Sequence, residues 1–101
     1  MTEPRWRIEV CHILVQEQAL AEQIIAWLEE TVPENRHACF ENLVAMYSEC
    51  GSVNNYGRIG AITPGMTDPE FERAVCSLRP GEYYKQPVKT SWGWHVVARI
   101  E

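Results

Sequence analysis

Apolar and polar residues alternate along residues 7–15, which predicts a strand with Ile8, Val10, His12 and Leu14 on one face. His12 therefore points with an apolar set. Next, Leu20, Ile24, Ile25, Leu28 and Val32 recur at helical spacing, with Glu22, Gln23, Glu29 and Glu30 on the wet side, predicting a helix over residues 17–31. Val32-Pro33-Glu34-Asn35 is a break, because proline disfavours helix at the residue before it and donates no backbone hydrogen bond. A second helix follows on Phe40, Leu43, Val44 and Tyr47, and Cys50-Gly51-Ser52 ends it. Residues 54–65 read as loop around one short strand at 57–61. Thr67-Asp68-Pro69 offers a capping oxygen and a first-turn proline to a third helix bearing Phe71, Ala74, Val75 and Leu78, closed by Pro80-Gly81. Two strands are expected last, at 83–89 and 94–100. In the second, His95 shares a face with Val97 and Arg99, and Trp94, Val96, Ala98 and Ile100 take the other.

Helices early and an antiparallel strand pair late describe an α+β domain. The chain has 101 residues with 46% hydrophobic content, enough for one packed core, so a single domain over 1–101 is expected. Nine basic against fourteen acidic residues give a net charge of -5, which argues against nucleic acid or an anionic membrane surface as the main partner. No apolar run is long enough to span a bilayer, and Met1-Thr2-Glu3-Pro4-Arg5-Trp6 lacks the apolar centre of a secretory signal. The expectation is a soluble, stand-alone cytoplasmic protein. Cys11, Cys39, Cys50 and Cys76 are scattered without a two-residue spacing and read as reduced thiols, although export would leave room for a disulfide.

A longer series carries chemistry: His12-Ile13-Leu14-Val15, Ser48, Cys50, Gly57, Ile59, Gly60, Pro69-Glu70-Phe71, Leu78, Pro80, Gly81, Pro87-Val88, Thr90, Gly93 and His95. This series resembles the parvulin-type peptidyl-prolyl cis/trans isomerases and covers nearly the whole chain. The resemblance implies a mostly antiparallel four-stranded sheet surrounded by three or more helices, within the FKBP-like superfold, with the first and last strands adjacent. It also implies a buried histidine pair, matched by His12 and His95, with Cys50 beside it and Thr90 in the same network. The implied proline pocket matches at Phe71 and Ile59. A methionine expected in its wall aligns with Thr67, next to Met66, so either Met66 swings in or the pocket is shallower and more polar. Trp92 stands where another aromatic is common.

An X-Pro bond faces a barrier of ~18–20 kcal/mol and needs no bond cleavage to turn, so a catalyst must hold the ring and favour the twisted amide. A monomer acting on proline-containing polypeptides is expected, with no cofactor and no metal. Phosphate-directed relatives carry a basic loop where this chain has only Gln16-Glu17-Gln18, so phosphoserine-proline selection is not expected. Arg58 stands where an acidic residue is common and is a candidate to attract an acidic side chain preceding the proline.

Other readings compete. A non-catalytic peptide-binding or chaperone module would keep the groove without the rate enhancement. Cys50 with a histidine resembles a thiol hydrolase pair, but no oxyanion motif accompanies it. Zinc on Cys11, His12, Cys50 and His95 is disfavoured because adjacent strand residues face opposite sides.

Overall fold

A computed structural model describes residues 6–51 and 56–101. At the centre of its sheet lie the first strand, β1 (Ile8–Val15), and the last, β4 (Gly93–Arg99), paired antiparallel with Leu14 opposite His95. β2 (Arg58–Ile62) flanks β1 and β3 (Val88–Thr90) flanks β4, giving the order β2-β1-β4-β3 with every pair antiparallel. The architecture is the expected α+β sheet.

Both faces of this sheet are covered, and the alternation in β1 decides which side chains go where. On one face Cys11, Ile13, Val15 and Val96 pack against Ala21, Ile24, Ile25 and Leu28 of α1 (Gln18–Glu30) and Phe40, Leu43 and Val44 of α2 (Arg36–Tyr47). On the other, Ile8, Val10, Val88 and Val97 pack with Ile62 against Phe71, Ala74 and Val75 of α3 (Pro69–Cys76). His12 and His95 share this second face. α3 is short, so it covers only part of that face.

The break at Val32-Pro33-Glu34-Asn35 separates α1 from α2, with one turn of 3-10 helix, Pro33–Asn35, leading directly into α2. Two other expectations need correction. Residues 83–89 are not one strand: Tyr83 makes an isolated bridge to Ala98, and pairing resumes only at Val88 opposite His95. Pro87, without an N–H, sits in the gap. Asp68 occupies the N-cap of α3 but makes no cap hydrogen bond there; its carboxylate instead accepts from the Ser91 N–H at 3.3 Å. Residues 1–5 and 52–55, including the expected end of the second helix at Ser52, lie outside the described residues.

The β1–β2 register supplies a local device. Val10 pairs with Gly60 and Cys11 with Arg58, leaving Ile59 as the extra residue of a β-bulge. Bulges bend a strand and re-aim a side chain. Just before it, Gly57 adopts φ 81°, and a Cβ there would lie 2.7 Å from the His12 carbonyl oxygen. That close approach lets the Gly57 carbonyl accept the His12 N–H at 2.9 Å.

Candidate active site

The two central strands bring His12 and His95 together across a sequence separation of 83 residues, with Nδ1 to Nδ1 at 2.9 Å. On the far side of His95, Nε2 lies 2.6 Å from the Thr90 hydroxyl, which also accepts the Trp92 N–H at 3.2 Å. These contacts make a chain that permits two proton arrangements. In one, His12 Nδ1–H donates to His95 Nδ1 and His95 Nε2–H donates to Thr90. In the other, Thr90 O–H donates to His95 Nε2 and His95 Nδ1–H donates to His12.

The rings are 5% and 2% exposed, so charge on either is poorly solvated. Burial lowers the pKa of both below the ordinary 6.5, and the proximity of His95 lowers that of His12 further. Two cationic rings would also set one Nδ1–H against another. At neutral pH the pair is therefore uncharged. His12 Nε2 is buried and makes no hydrogen bond to a described residue.

Phe71 from α3 meets both imidazoles edge to face, with centroids 6.1 Å from His12 and 5.4 Å from His95. Above this floor opens a cleft of about 390 Å³. All nine residues singled out from the sequence line it: His12, Cys50, His95 and Thr90, and Ile59, Met66, Thr67, Phe71 and Trp92. The mouth is apolar, since Met66 and Trp92 are 61% and 65% exposed there. Met66 thus reaches the cleft, and Thr67 adds a buried hydroxyl with no described partner.

Cys50 is held by its neighbours. The Ser48 hydroxyl accepts from the Leu14 N–H at 3.1 Å and from the Cys50 N–H at 3.5 Å, while the Glu49 N–H bonds the Leu14 carbonyl. The segment after α2 is thereby stitched to the end of β1. Gln16 performs a similar service on the opposite rim, its side-chain amide donating to the Trp92 carbonyl at 3.0 Å.

Leu14, Ile62 and Asp68 complete the lining and were not singled out as site residues. Leu14 was legible in principle, because it shares the face of His12. Asp68, by sequence alone, offers only a helix cap. Arg58 is exposed and does not line the cleft; it stands opposite Cys11 in the β1–β2 ladder. Cys11 is buried on the α1 and α2 face, its thiol pushed up to about 12, and is no partner for His12 in a common site.

A family model described as "Rotamase: PPIC-type PPIASE domain" matches residues 12–101. The chaperone SurA of Nitrosospira multiformis is 38% identical over 93 residues, covering 89% of this chain and 21% of that protein. Among solved structures, one of two SurA-like chaperones of Campylobacter jejuni superposes with a TM-score of 0.87 at 30% identity, covering 94% of this chain and 38% of that one. The parvulin NmPin of Nitrosopumilus maritimus superposes with a TM-score of 0.74 at 31% identity, covering 98% of this chain and 100% of that one. The chain thus spans about a fifth of its curated SurA relative and the whole of a small solved one.

Proposed function

The chain belongs to the PPIC-type peptidyl-prolyl isomerase family, and we propose that it accelerates cis/trans rotation of X-Pro bonds in unfolded or extended polypeptides, without a covalent intermediate. The observation that carries this reading is the meeting of Phe71, Ile59 and the Thr90–His95–His12 chain in one apolar cleft. Its walls suit a pyrrolidine ring. A planar amide is the more polar form, and twisting removes resonance and part of the carbonyl dipole. Moving the bond from water into an apolar cleft therefore penalises the planar state more than the twisted one. Each ~1.4 kcal/mol of that difference gives about tenfold in rate.

The histidines act here as positioning residues. Uncharged and bonded to each other, they form a floor whose rings are held in place before substrate arrives. Thr90 sets the orientation of His95, and Ser48 holds the strand that carries His12.

We read the site as not directed to phosphate, because no Lys or Arg lines the cleft among the described residues and Asp68 does. A monomer without cofactor or metal, with neither nucleic acid nor membrane as partner, belongs to the same proposal. So does cytoplasmic placement, supported by Cys11, Cys39 and Cys76 standing as thiols.

Exchange NMR on a panel of X-Pro peptides tests the reading. Acceleration at micromolar protein, reduced more by Cys50→Ala or Phe71→Leu than by Glu22→Ala on the exposed side of α1, is the expected result. Peptide-induced shifts at Phe71 and Ile59 without faster exchange would instead identify a binding or chaperone module. No shifts and no acceleration would overturn both.

A further inference from the structure

Asp68 is the one charged side chain lining the cleft among the described residues, His12 and His95 being neutral there. It is half-buried at the head of α3, and no ion pair of the described residues includes it. Its one hydrogen bond among these residues, from the Ser91 N–H at 3.3 Å, is long and leaves most of the carboxylate's accepting capacity unused. Nearby cations are turned away. Arg58 pairs with Cys11 in the β1–β2 ladder and does not line the cleft, and Lys89 sits over the Trp94 ring, 5.4 Å from its centroid. An uncompensated negative charge therefore borders a wall of Ile59, Ile62, Met66 and Phe71, where low polarity lets its field reach further than on open surface.

We propose that Asp68 sets the substrate class of this cleft: prolyl segments flanked by Lys or Arg are preferred, and segments flanked by Asp, Glu or a phosphorylated residue are disfavoured. This rests on the isomerase reading and deepens it. The preference is opposite in sign to that expected from Arg58, because Arg58 does not line the cleft. Since Asp68 is only half-buried, the effect is a few-fold and salt-sensitive.

The test measures kcat/KM by exchange NMR on matched Arg-Pro, Ala-Pro and Glu-Pro peptides, and on their Pro-Arg and Pro-Glu counterparts, with the intact chain and its Asp68→Asn and Asp68→Lys variants. The basic peptides are expected to exceed the acidic ones about threefold to fivefold at low salt, less at high salt. Asp68→Asn, which keeps an oxygen for the Ser91 N–H, should bring the ratio to about one, and Asp68→Lys should invert it. A uniform loss on all peptides would assign Asp68 a purely structural part in tying α3 to the β3–β4 turn, and overturn the proposal. A ratio unchanged in Asp68→Asn would overturn it too. If no peptide is accelerated the isomerase reading fails, and the ratio of dissociation constants for the same peptides then decides the role of Asp68.

Discussion

Phe71 and His95 stand edge to face at an interplanar angle of 83°, so the ring expected to grip a prolyl side chain is also the ring that packs the histidine floor. Phe71 is 3% exposed, within the cluster formed by Val10, Val75 and Val97. Fold and site share one side chain here.

Phe71→Ala is accordingly expected to cost about 3–5 kcal/mol, a large part of the stability of a domain this size. Phe71→Leu, a milder loss of volume and ring contacts, should fold and still lose activity. Urea unfolding beside exchange NMR separates the two effects. Full activity in a stable Phe71→Leu protein would remove the ring from the site.

Stability should fall with acid before the carboxylates titrate. The folded pKa values of His12 and His95 lie below 6.5, whereas the unfolded chain keeps histidine near that value. Below about pH 6.5 the unfolded chain takes up protons that the fold refuses, so stability is lost as pH drops, and the histidine contribution is constant above about pH 7. Each ring contributes up to about 1.4 kcal/mol per pH unit within that window. A urea midpoint unchanged from about pH 7 to about pH 5 would contradict the neutral pair.

Thr90→Val should leave His95 Nε2 and the Trp92 N–H without their shared hydroxyl, costing about 1–3 kcal/mol, while Thr90→Ser restores it. The imidazole nitrogen shifts of His95 should move in Thr90→Val and return in Thr90→Ser. Identical histidine spectra in all three proteins would mean that the hydroxyl does not set the tautomer.

Gly57 and Gly60 have similar positive φ, 81° and 87°, but different surroundings. A Cβ at Gly57 would meet the His12 carbonyl at 2.7 Å and Val44 Cγ2 at 2.8 Å, whereas at Gly60 it meets nothing within 4 Å. Gly60→Ala should therefore cost only backbone strain, about 1–3 kcal/mol, and Gly57→Ala clearly more, with His12 displaced. Equal losses in urea unfolding would show that the contact relaxes freely.

How much was legible beforehand follows from the kind of signal each element carries. β1 and β4 were readable, because alternation has a period of two and assigns a face to every residue, including His12 and His95. The helical stripes in α1 and α3 were readable for the same reason at a different period. Residues 83–89 misled because Tyr83 and Val88 both pair with β4, while the interruption between them depends on where Pro87 falls in the ladder. The aims of Arg58 and Asp68 were hidden. The first depends on a bulge that only pairing reveals, and the second on a turn 23 residues downstream competing for the carboxylate. The convergence of the nine site positions was expected only through family resemblance, since nothing local in a strand announces its distant neighbour.

The adjacency of β1 and β4 at the sheet's centre has a temporal side. A nascent polypeptide emerges in order, and until Gly93–Arg99 leaves the ribosome β1 has a neighbour on one edge only, with His12 facing no second imidazole. The cleft cannot mature in stages: its floor must wait for β4 before His12 meets His95.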